Sequence, residues 1–109
     1  MNKLQLLLDE IEREPSKATG RLPLLLKEIY VLIERIKSCP DMQSASAYFT
    51  LLAKIQSALA RITFRDGIAL DQELSKIVRD CDRLDDEDVR NFLFDEIRSG
   101  TYDLTQGKF

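Results

Sequence analysis

The apolar pattern predicts an all-α protein: an antiparallel four-helix bundle with a short fifth C-terminal helix or bend and a non-helical tail. Three observations carry that expectation. Leucine, isoleucine and their apolar neighbours recur at gaps of three and four along most of the chain, the spacing that puts side chains on one helical face. Only 4 glycines and 3 prolines interrupt 109 residues, so long helices are allowed. Hydrophobic residues at 44% and charged residues at 32% give a globular balance and not a disordered one. The whole of 1–109 reads as a single helical-bundle domain. A chain this long buries roughly 65% of its unfolded surface, which supports one core without staples.

The first helix is expected over residues 2–13, with Leu4, Leu7, Leu8 and Ile11 on one face and Asp9, Glu10, Glu12 and Arg13 on the other. Pro15 ends it, because the residue before proline avoids the helical region. Ser16 to Gly20 reads as a loop. A second helix is expected from near Arg21, with Pro23 in its first turn. Its stripe is Leu22, Leu25, Ile29, Leu32 and Ile36, widened by Leu24, Leu26, Val31 and Ile33, which marks a central helix. It stops at Ser38-Cys39-Pro40.

Asp41 or Ser44 caps a third helix. Its stripe is Ala45, Tyr48, Leu52, Ile55, Leu59 and Ile62, a period suited to helices packing at shallow angles. Arg65-Asp66-Gly67 is a turn signal. The fourth helix begins between Ile68 and Asp71 and carries Leu70, Leu74, Ile77, Cys81 and Leu84. The acidic run Asp85-Asp86-Glu87-Asp88 then suits a new helix N-terminus, where the dipole favours negative charge. Asp85 is read as the N-cap of a fifth helix reaching about Ser99, with Val89, Phe92, Leu93 and Ile97 facing inward. A single helix over 70–99 is the competing reading. Gly100 stops the helix. The tail at 100–109 has no helical period, yet Tyr102, Leu104 and Phe109 suit it to folding back onto the bundle.

Composition excludes several functions. The net charge of −3 argues against a general nucleic-acid binder, which needs an excess of Lys and Arg. The charge is uneven: residues 21–62 carry six basic and three acidic groups, whereas residues 63–99 carry six basic and eleven acidic groups. Ordinary solvation accounts for this; so does electrostatic steering of a partner or of a membrane surface. The chain has 0 histidines, which removes His-based acid–base catalysis, His-metal sites and phosphohistidine transfer. There is no Gly-rich phosphate loop and no Cys-x-x-Cys pair. Asp85, Asp86 and Asp88 lack the spacing, central Gly and terminal Glu of a calcium loop and read as capping and solvation. No catalytic residue, cofactor or metal is therefore expected, and the protein reads as a non-enzyme. Cys39 and Cys81 read as free thiols packed as small hydrophobes. No signal-peptide pattern or membrane-length apolar run is seen, so a cytoplasmic location is expected.

The segments Leu24-Leu25-Leu26-Lys27-Glu28-Ile29-Tyr30 and Asp71-Gln72-Glu73-Leu74-Ser75-Lys76-Ile77, with the end Tyr102 to Phe109, give the chain a further character. In this helix order it resembles the immunity proteins against class IIa (pediocin-like) bacteriocins, in particular the enterocin A immunity type. The resemblance implies bacteriocin immunity through cytoplasmic protein–protein recognition. The implied partner is a mannose phosphotransferase permease engaged by bacteriocin, with peripheral membrane contact and no nucleic acid. It implies that specificity lies in the C-terminal half, here about Asp85 to Phe109. Candidate partner-binding residues are Arg90, Phe94, Arg98, Tyr102, Lys108 and Phe109; the alternative for Phe94 and Tyr102 is that they close the bundle end. A generic helical adaptor or regulatory protein that homodimerises through a bundle face is the second functional reading.

Overall fold

A computed structural model describes residues 2–106 and the side chains of 3–105. Those residues form a bundle of five helices: α1 (Asn2–Arg13), α2 (Ala18–Lys37), α3 (Met42–Asp66), α4 (Gln72–Asp80) and α5 (Glu87–Ser99). Short 3₁₀ turns lie at Pro15–Lys17 and Leu104–Gln106. No strand occurs among the described residues. The long helices α2 and α3 form the middle. Helix α1 lies on both, α5 rests on α2 and α3, and α4 packs on α3 with the C-terminal 3₁₀ turn against it.

The helix ends follow local chemistry. Each helix leaves its first N–H groups without intrahelical partners. The carboxylate of Asp41 accepts from Ser44 N at 2.8 Å, that of Asp71 from Leu74 N at 2.9 Å, and that of Asp86 from Asp88 N at 2.9 Å and Val89 N at 3.4 Å. Gly67 (φ 66°) and Gly100 (φ 80°) close α3 and α5 in the left-handed region, where a side chain is strained.

Several expectations are corrected here. Residues 16–20 are not a loop: a 3₁₀ turn runs straight into α2, which begins at Ala18 and not near Arg21. Ala18 is fully buried, so the core fixes this entry turn, and Pro23 lies beyond the first turn of the helix. In α3 the fully buried aromatic is Phe49, while Tyr48 only packs against the cluster. The cap of α5 is Asp86, one residue after Asp85. Within α5, Phe92 points outward and is 66% exposed, whereas Phe94 is buried. Phe94 meets Phe49 edge-on, with ring centroids 6.4 Å apart, and this contact between α3 and α5 explains both aromatic corrections.

The break between α4 and α5 is a turn over residues 81–86. Cys81 and Leu84 stay buried through it, so the apolar pattern continues although the helix does not. Gln56 of α3 is the one buried polar residue among those described. Its amide donates to Val78 O at 3.4 Å and to Asp82 Oδ1 at 3.3 Å. It thus serves a carbonyl in the last turn of α4, which the helix itself leaves unpaired. Of the tail's described residues, Leu104 is 1% exposed and belongs to the core cluster, with Tyr102 packed against it.

Candidate partner-binding surface

The C-terminal quarter is built from the 81–86 turn, α5 and the start of the tail. Its inner side is fixed by Leu93, Phe94 and Ile97. The candidate residues on it divide by what holds them. Arg90 is half-buried beside a recess of about 230 Å³ that Ser46, Thr50, Ala53, Leu84 and Asp85 also line. Arg98 lies over the Phe94 ring, 5.6 Å from its centroid, and donates to Pro40 O at 3.1 Å. It therefore ties α5 to the α2–α3 turn while remaining exposed. Phe94 itself is inside the bundle and offers no free face.

Tyr102 is half-buried and clamps the tail onto α4. Its hydroxyl donates to Asp80 Oδ2 at 3.0 Å. Lys76 Nζ sits 3.0 Å from the same oxygen and 4.9 Å above the Tyr102 ring. Burial, and then the Asp80 charge, push the Tyr102 phenol far above its ordinary value. Lys108 and Phe109 lie outside the described residues. Of the six candidates, Arg90 lies beside α3 and Arg98 reaches the α2–α3 turn, Phe94 is inside the bundle, and Tyr102 is held by α4.

The exposed aromatic of this region is Phe92, which sequence reasoning placed in the core. Exposed Asp88, Asn91, Asp95 and Ser99 share its side of α5. Asp86 caps the helix and also holds Arg83 at 2.7 Å, and its backbone hydrogen bonds keep its carboxyl below the usual range. No group of three or more acidic or cysteine side chains among the described residues is placed to hold a metal.

Two other surfaces stand out. An open groove of about 830 Å³ runs along α2 to the start of α3, lined by Lys27, Tyr30, Val31, Glu34, Arg35 and Tyr48 among others. Tyr30 bridges α2 to α4 by donating to Glu73 Oε2 at 2.5 Å. At the far end of α3, Phe64 is 88% exposed beside a recess lined by Ala60, Ile68, Leu70 and Val78. Both cysteines are free and buried, and burial pushes the Cys81 thiol up to about 12, which keeps it protonated and unreactive. No described helix is long and apolar enough to cross a membrane.

No curated protein and no solved structure matches the chain. The family model described as immunity protein CdiI-like matches residues 1–99, from α1 to the end of α5. The family model bears out the immunity character read from the sequence; its description is not that of the pediocin-like, enterocin A type. With a match over nearly the entire bundle, the chain belongs to the CdiI-like immunity protein family.

Proposed function

We propose that the chain is the antidote of a protein toxin used in contact-dependent inhibition, and that it protects by stoichiometric binding. The observation that carries this reading is the family match over residues 1–99. The fold suits the task. A bundle presents rigid side-chain faces, and rigid faces lose little entropy on docking. Blocking a toxin needs tight occupancy and no turnover, and this chain has no histidine to run acid–base chemistry. We place its action in the cytoplasm, consistent with two free, buried cysteines. Recognition is assigned to the C-terminal quarter, with Arg90, Arg98 and Tyr102 contributing.

The finer reading from the sequence, immunity to a pediocin-like bacteriocin through the mannose phosphotransferase permease, differs in what the cell survives. Sensitive cells expressing this chain are challenged in two ways: by cells deploying each of a panel of contact-dependent inhibition toxins, and by a panel of pediocin-like peptides. Survival of the first challenge, with a one-to-one complex of toxin domain and chain in solution, is the expected result. Survival of the peptides alone would overturn it in favour of the bacteriocin reading.

A further inference from the structure

We propose that the chain pairs with a second copy of itself through the end of α3, each copy's Phe64 ring entering the apolar recess beside the other's Phe64. This goes beyond the antidote reading and does not depend on it.

Phe64 lies in the last turn of α3 and is 88% exposed, more than any other large hydrophobic side chain among the described residues. It belongs neither to the core cluster nor to the residues packed against it, so its ring contributes nothing to this fold. Exposed aromatic anchors of this sort dominate interface energies. Beside it, α3, the 67–71 connection and α4 form a recess of about 220 Å³, walled by Ala60, Thr63, Ile68, Ala69, Leu70 and Val78. That volume suits a phenyl ring, since an apolar cavity of about 150 Å³ already takes up benzene. The walls are held in place before any partner arrives. Gly67 turns the chain with φ 66°, and Ile68 N donates to Ile62 O at 3.3 Å. Thr63 Oγ1 donates to Ile68 O at 3.2 Å, and the Asp71 cap fixes the first turn of α4. Docking into a pre-formed recess loses little conformational freedom.

The occupant follows from ring and recess lying on one patch. A two-fold pair presents the same patch from both sides, so a projection next to a matching hollow fills both hollows at once. Charge selects the same occupant. Residues 60–79 carry four basic and three acidic groups, a net of +1, so two copies meet with both signs present and little repulsion. The other exposed phenylalanine, Phe92, lies in residues 81–99, which carry seven acidic and three basic groups, a net of −4. That face repels its own copy. The area also suffices. A phenylalanine buries about 150–250 Å², so two rings and the walls that receive them remove about 600–1,000 Å² from water. The exposed side chains of Arg61 and Arg65 extend the contact towards the roughly 1,200–2,000 Å² of a stable interface. The recess lies about 22 Å along α3 from Phe49, where α5 is seated, so pairing leaves the C-terminal quarter free.

The test is sedimentation velocity of the full chain from about 1 to 300 µM, a span that brackets a weak interface. The chain is expected to pass from monomer to dimer as concentration rises. Phe64→Ala is expected to raise the dimer Kd about 100-fold or more, because the substitution removes two ring insertions per dimer. Ala69→Arg, which fills the recess and keeps the ring, should do the same. Mixed in equal amounts, the two variants regain one insertion, the ring of the second in the open recess of the first, and should associate more tightly than either alone. Phe92→Ala should sediment like the parent chain. Circular dichroism should show every variant folded, because Phe64, Ala69 and Phe92 are outside the core. A chain that stays monomeric throughout, a dimer that withstands Phe64→Ala, or one that only Phe92→Ala disrupts overturns the proposal. So does a mixture that associates no better than its parts.

Discussion

Two tyrosines join parts of the chain that are distant in sequence, and their chemistry makes them reporters. Tyr30 donates to Glu73 and Tyr102 to Asp80, and in each case a carboxylate accepts a proton the phenol must keep. Burial and then Glu73 push Tyr30 up to about 12, and Tyr102 lies higher still. In the unfolded chain both ionise near 10. Their stabilising effect is therefore complete below about pH 10 and is lost as pH rises from there through the folded values. Phenolate absorbance should show Tyr30 titrating near 12, with Tyr102 silent until the protein unfolds in alkali. Ionisation of all three tyrosines near 10 in folded protein would contradict these hydrogen bonds. Gln56 carries no sign of its role in the sequence. A glutamine inside an apolar stripe looks like an exposed edge, and only its reach to Val78 O, at the end of another helix, makes it structural. Gln56→Leu leaves that carbonyl without its donor and should cost about 1–3 kcal/mol in a denaturant titration.

The caps and the tail decide stability at the level of the elements. Asp71→Ala removes the acceptor that serves Leu74 N and should destabilise by about 1 kcal/mol. Asp41, Asp86 and Asp103 all have carboxyls held below their ordinary values, chiefly by hydrogen bonds from Ser44, from the backbone of Asp88 and Val89, and from Thr105. Depressed carboxylates stabilise above their unfolded value and lose that effect as pH falls through the folded one. The melting temperature is thus expected to hold from neutral pH down to about 5 and to drop below about 4. Asn at these three positions should lessen the acid drop. The tail is an element in its own right: Leu104→Ala opens a void beside α4 and should cost about 2–5 kcal/mol, measured by thermal or urea unfolding.

At the scale of the molecule, apolar side chains from all five helices and the tail join in one cluster. Ion pairs such as Lys3–Glu28, Arg21–Glu10 and Arg61–Glu12 stitch α1 to α2 and α3 at the surface, where each contributes about 1 kcal/mol or less. The Phe49–Phe94 contact matters more, because it fixes how α5 meets α3. Phe49→Ala should cost about 3–5 kcal/mol. A double-mutant cycle with Phe94→Ala should return a coupling of about 0.5–1.5 kcal/mol from ring geometry alone. Far-ultraviolet and tyrosine signals are expected to report one coincident unfolding transition, as a shared core requires.

The order of the helices is legible in the sequence, as is a break near Asp85 favoured over one helix across 70–99 and a tail suited to folding back. Those features follow from local causes: three-and-four periodicity, an Asp able to cap, a Gly able to adopt positive φ, and apolar residues after a helix stop. Where local signals are balanced, packing between helices settles the outcome. In α5, Phe92 and Phe94 sit about 100° to either side of Leu93 on the helix, so the stripe Val89–Leu93–Ile97 favours neither. The side on which α3 lies buries Phe94 against Phe49 and leaves Phe92 in water. The same contact buries Phe49, although periodicity points to Tyr48. The candidate surface inherits this ambiguity, since helical spacing fixes which residues share a face but a neighbouring helix fixes which face is outside.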